Sequence, residues 1–105
     1  MIITKVNGEN KVTLLLDGWL DTDAAPLLGK EIETIEGAVE IVIDLDKVEY
    51  MSSSGLRQII AANKKAKEQG GTLTLINVHD EIMSIFELTR LDKKLSINKA
   101  AETTA

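Results

Sequence analysis

Two β-prone runs open the chain, Ile2-Ile3-Thr4-Lys5-Val6 and Lys11-Val12-Thr13-Leu14-Leu15-Leu16, on either side of the turn-like segment Asn7-Gly8-Glu9-Asn10. They predict a hairpin. After Asp17-Gly18-Trp19-Leu20 the apolar positions change period, with Ala25, Leu28, Ile32 and Ile35 on one helical face and Lys30, Glu31 and Glu33 pointing elsewhere. Thr22 or Asp23 is expected to cap this helix, Pro26 falls in its first turn, where a missing N–H costs little, and Gly37 supplies a stop. The nearly continuous apolar run Val39-Glu40-Ile41-Val42-Ile43-Asp44-Leu45 reads as a buried central strand.

A second helical pattern covers about 54–69, with Leu56, Ile59, Ile60 and Ala66 facing inward and Gly70-Gly71 ending it. A strand, Thr72 to Asn77, follows. The next helix is predicted from about Asp80 to Leu91, with Ile82, Ile85 and Phe86 as its core stripe, acids at its start and Arg90 and Lys93 at its end, both suited to the helix dipole. Leu95-Ser96-Ile97 fits a short edge strand, and Lys99 to Ala105 a terminal helix or frayed tail. Strands alternating with helices after a hairpin predict one α/β domain over 1–105: a mixed sheet with helices on one or both faces and a right-handed βαβ crossover through 39–77.

Composition narrows the function classes. The 105 residues carry 12 basic and 17 acidic groups, a formal charge of -5, and the aromatics are only Trp19, Tyr50 and Phe86. Nucleic-acid binding is not expected, because a duplex binder presents a basic face and a single-strand binder adds aromatic platforms. The run Lys64-Lys65-Ala66-Lys67 reads instead as the solvated, dipole-complementing end of a helix. With no cysteine there are no disulfides or thiolate metal sites, and no stretch is apolar enough to span a bilayer. No secretory signal is apparent at Met1-Ile2-Ile3-Thr4-Lys5. Together these predict a cytoplasmic protein without membrane insertion, cofactor or metal.

The chemistry concentrates at Tyr50-Met51-Ser52-Ser53-Ser54-Gly55-Leu56-Arg57, between the central strand and the second helix. A helix start leaves its first N–H groups unpartnered and carries partial positive charge, so it tolerates an anion such as phosphoserine. The carboxyl end of a central strand is also where open α/β sheets commonly bind ligands. From the residues alone, Ser53 is more simply a helix cap or a solvated loop serine. Tyr50 and Met51 suit either contact beside a switch or packing under the loop, and Gly55 either a close approach or a tight turn. Asp21 and Thr22 enter the first helix at the same sheet end and serve equally as caps or as contacts.

A hydrolase reading would pair one of these serines with His79, the only histidine, but the chain has no Gly-x-Ser-x-Gly elbow, and a lone histidine near a helix start is more often a cap or surface residue. The P-loop pattern is also missing.

The order hairpin, helix, acidic-ended strand, Met-Ser-Ser-Ser-Gly-Leu, helix, strand, helix resembles the STAS domain family, in particular the stand-alone bacterial anti-sigma factor antagonists. Its most specific stretches are Val42-Ile43-Asp44-Leu45 and Val48 to Leu56, supported by Gly18-Trp19-Leu20-Asp21 and by Gly70-Gly71 before the strand Thr72 to Asn77. The resemblance implies a mixed sheet of four to five strands with three to four covering helices. It also implies a non-catalytic module whose unphosphorylated form binds an anti-sigma factor serine kinase and releases a sigma factor. Phosphorylation would switch that binding off, and a serine/threonine phosphatase would restore it. Carried onto this chain, the acceptor is Ser53. The preceding position, often Asp in the family, is here Ser52, so Ser52 and Ser54 stand as alternative acceptors. Asp21, Thr22 and residues 50–57 form the expected partner surface. The resemblance also admits a different role, as a cytosolic STAS subunit of a transporter or lipid-trafficking assembly.

Overall fold

The computed structural model describes residues 1–37 and 40–100. Within them lie β1 (Ile2–Gly8), β2 (Lys11–Leu20), α1 (Ala25–Glu33), β3 (Glu40–Met51), α2 (Ser53–Glu68), β4 (Thr72–Val78), α3 (Asp80–Leu88), a 3-10 turn at Leu91–Lys93, and β5 (Ser96–Lys99). The strands form one sheet in the order β1-β2-β3-β4-β5. β1 and β2 pair antiparallel, closing the expected hairpin through Gly8 opposite Lys11, while β2, β3, β4 and β5 run parallel. The expected mixed sheet is therefore present, with five strands and three α-helices among the described residues.

All three helices cover the same face. Val12, Leu14 and Leu16 of β2, Ile41, Ile43 and Leu45 of β3, and Leu73 and Leu75 of β4 join Leu28 and Ile32 of α1, Ile59, Ala62 and Ala66 of α2, and Ile82 and Phe86 of α3 in a single buried cluster. Burying each large apolar side chain contributes about 1.5–3 kcal/mol, so this layer holds the helices on the sheet. Strand alternation sends Ile2, Thr4, Leu15, Asp17, Val42 and Asp44 to the opposite face, which no helix among the described residues covers.

Several expectations are corrected. α1 is entered not through Thr22 or Asp23, both exposed, but through Asp21, whose Oδ1 accepts from Ala24 N at 2.9 Å and whose carbonyl accepts from Ala25 N at 2.9 Å. On α2 it is Ala62, not Ile60, that turns inward; Ile60 is exposed. Lys65 is half-buried and donates to the carbonyls of Ile32 at 2.7 Å and Glu33 at 2.9 Å, so it caps the neighbouring helix α1 rather than standing free in water. α3 ends at Leu88, and Arg90, with φ 61°, breaks it in the left-handed region instead of occupying its last turn. Lys99 closes β5; the strand start placed at Val39 and the tail at 101–105 lie outside the described residues.

The largest difference is in β3. The strand runs on to Met51, six residues past Leu45. Its pairing with β4 stops at Asp44 opposite Ile76, while its pairing with β2 continues to Leu20 opposite Met51. Two bulges make this possible. Between Leu15–Asp44 and Asp17–Lys47, and again between Gly18–Val48 and Trp19–Tyr50, β3 spends one residue more than β2. Gly18, at φ 117°, takes up a backbone shape that side-chain-bearing residues avoid.

Candidate functional site at the ends of the parallel strands β2 and β3

Parallel pairing brings the ends of β2 and β3 level, so Asp21-Thr22 and Ser52-Ser53-Ser54 leave the sheet side by side although about 30 residues separate them in sequence. The two segments are tied at Leu20. Its carbonyl accepts from Ser52 N at 2.9 Å and from Ser52 Oγ at 3.2 Å.

Ser52 is the N-cap of α2. Its backbone is extended (φ -84°, ψ 169°), its Oγ accepts from Gly55 N at 3.1 Å, and its carbonyl accepts from Leu56 N at 3.0 Å. The capping role that the sequence allowed Ser53 thus falls to Ser52. Ser53 becomes the first helical residue and is exposed. Among the described residues nothing accepts from or donates to its hydroxyl, and the backbone N–H groups of Ser53 and Ser54 have no acceptor. Ser54 is half-buried. An anion attached at Ser53 would therefore meet the open amino end of a 16-residue helix, the electrostatically favourable end.

Gly55 is buried because α2 lies directly on Leu20. A Cβ on Gly55 would stand 2.6 Å from Leu20 Cγ and 2.7 Å from the Leu20 carbonyl oxygen. Met51 and Leu56 are likewise turned into the core. Within the expected partner surface these three residues shape the site from beneath; Thr22, Tyr50, Ser53 and Arg57 are exposed, and Asp21 and Ser54 are partly so.

Trp19 is a neighbour that sequence reasoning did not single out. Its ring centroid lies 5.4 Å from that of Tyr50 at an interplanar angle of 43°, and its Nε1 donates to Glu49 Oε2 at 3.2 Å. Trp19 is 57% and Tyr50 46% exposed, so two large aromatic surfaces stand in water near the strand ends from which the serine tract departs. Alternation with buried Leu14, Leu16 and Leu20 was the available signal that Trp19 faces away from the core.

His79 is not arranged as a serine's base. Its Nε2 lies 2.9 Å from Asp46 Oδ1 at the surface, while Ser52 Oγ is engaged with Leu20 and Gly55. Among the described residues no three His, Cys, Asp or Glu side chains are grouped to hold a metal, and no helix is long and apolar enough to cross a membrane.

Known proteins share both the sequence and the geometry. An anti-sigma-B factor antagonist of Bacillus subtilis is 30% identical over 95 residues, which are 90% of this chain and 87% of that protein. The crystal structure of an anti-sigma factor antagonist from Mycobacterium paratuberculosis superposes with a TM-score of 0.83 at 23% identity, over 92% of this chain and 84% of the other. The Bacillus cell fate determinant SpoIIAA, an anti-sigma factor antagonist, has been solved in two forms. The unphosphorylated form matches with a TM-score of 0.75 at 19% identity, over 96% of this chain and 90% of that one. The phosphorylated form gives 0.74 at 20%, over 97% and 93%. At these identities the structures speak for the fold. The family model described as "STAS domain" matches residues 1–104, and the chain belongs to the STAS domain family.

Proposed function

We propose that this protein is a cytoplasmic anti-sigma factor antagonist without catalytic activity of its own. Its unphosphorylated form binds an anti-sigma factor serine kinase and so frees a sigma factor. Phosphorylation of Ser53 ends the binding, and a serine/threonine phosphatase restores it. The observation that carries this reading is the division of labour between two adjacent serines. Ser52 holds the helix start, while Ser53 is exposed and untied at its first position. A phosphoryl group there adds about -1.5 to -2 charges without removing a bond the fold uses. A partner packed over Thr22, Tyr50, Ser53 and Arg57 would have to desolvate that charge or face it with its own acids.

The Bacillus subtilis relative's name and the two solved forms of SpoIIAA support the same reading. They favour it over the alternative of a subunit in a transporter or lipid-trafficking assembly.

The test is to incubate the protein with ATP and an anti-sigma factor kinase from the same organism, map any phosphate by peptide mass spectrometry, and compare kinase binding by Ser53→Ala and Ser53→Asp. Phosphate at Ser53, with Ser53→Ala retaining binding and Ser53→Asp losing it, is the expected result. Phosphate only at Ser52 or Ser54, or equal binding by the two variants, would overturn the assignment of Ser53.

A further inference from the structure

The sheet face turned away from α1–α3 carries a groove of about 220 Å³ whose lining contains none of the serines 52–54. Its floor and walls include Ile2, Leu15, Asp17, Asp44, Asp46 and Lys47. Ile2 is 67% and Leu15 37% exposed, and the face continues along the strands to the exposed Trp19–Tyr50 pair. An exposed apolar strip bordered by polar groups offers a seat for the apolar side chains of a partner.

The charges decide what fits. Three carboxylates, Asp17, Asp44 and Asp46, stand against the single ammonium of Lys47. Asp44 and Asp46 are held in place by Asn77 Nδ2 at 3.1 Å and His79 Nε2 at 2.9 Å, whereas Asp17 has no side-chain partner among the described residues. A second copy of this chain would set three carboxylates against three. A phospholipid headgroup or a nucleic-acid backbone would bring further negative charge. A cationic side chain meets the rim with opposite sign, and an arginine or lysine above the Trp19 or Tyr50 ring gains cation–π attraction as well.

We propose that this groove docks a basic amphipathic segment of a partner protein, apolar side chains on Ile2 and Leu15 and cations at Asp17, Asp44 and Asp46. The site is separate from Ser53.

The probe is a Leu/Lys amphipathic helical peptide, with a Leu/Glu peptide of equal length as control, titrated into the full chain. Binding is followed by backbone amide NMR and by the fluorescence of Trp19, the only tryptophan. The Leu/Lys peptide is expected to shift resonances of β1, β2 and the second half of β3 and to move Trp19 emission to shorter wavelength, while the Leu/Glu peptide does neither. Asp17→Lys, an exposed position, weakens binding by about tenfold or more, and Leu15→Ser does the same. Ser53→Asp leaves the affinity unchanged, so loss of the switch and loss of this groove read out separately. Shifts centred on α1–α3, equal affinity of Asp17→Lys and the parent, self-association through this face without peptide, or abolition by Ser53→Asp would each overturn the proposal.

Discussion

Gly55 lies against Leu20 with no room for a methyl group: a Cβ would fall 2.6 Å from Leu20 Cγ and 2.7 Å from its carbonyl oxygen. The side-chain carbon has some freedom to give way. The carbonyl has little, because it also accepts two hydrogen bonds from Ser52. Gly55→Ala is therefore expected to destabilise the protein by about 1–3 kcal/mol, the usual cost of overpacking a filled interior. Urea unfolding measures it, and an unchanged midpoint would mean that α2 can lift off Leu20 freely.

Neighbouring serines should behave differently on truncation. Ser52→Ala removes the N-cap and is expected to cost about 1 kcal/mol, whereas Ser53→Ala, at an exposed and untied position, should stay within about 0.5 kcal/mol of the parent. Thermal unfolding of the two variants side by side makes the comparison. Equal losses would contradict the assignment of the cap to Ser52.

Much of this architecture was legible in the sequence because its local signals are plain. The hairpin follows from two β-prone runs about a turn-like segment, the first half of β3 from a nearly continuous apolar run, the inward face of α1 from spacing three-to-four, and the β3-α2-β4 parallel crossover from their order. Past Leu45 the burial runs in threes, with Leu45, Val48 and Met51 inside and pairs of exposed residues between them. Two bulges produce that rhythm, and it matches neither template, so the strand's second half reads as a loop. The helix start at the serines was also legible. The identity of the cap was not, since it depends on a carbonyl 32 residues away in the chain, and the Trp19–Tyr50 contact depends on a parallel register that local pattern does not encode.

Lys65 gives a third measurable expectation. Its ammonium satisfies two carbonyls at the end of α1, and a hydrogen bond to a charged group contributes more than a neutral one. Lys65→Met keeps most of the stem and removes the donors, with an expected loss of about 1–2 kcal/mol by chemical denaturation. Lys64→Met and Lys67→Met, at exposed positions on the same helix, should be nearly silent. If all three behaved alike, the cross-helix cap would have no energetic weight.

Phe86 anchors the third helix. It is fully buried in the shared cluster, and α3 contributes only one other buried residue, Ile82. Phe86→Ala is expected to cost about 3–5 kcal/mol. Hydrogen exchange should find protection in α3 reduced first, before the paired strands β2 and β3. Uniform loss across the molecule would show that α3 does not open as a separate unit.

The pair of hydrogen bonds from Ser52 to the Leu20 carbonyl has a mechanical consequence. Two stretches of chain made at different times are riveted at one atom, and the residue beyond the rivet begins a 16-residue helix. Anything covalently attached to Ser53 is therefore presented from a fixed mount. The phosphoryl group proposed for Ser53 would change what an approaching surface meets without first having to remodel the surface that carries it.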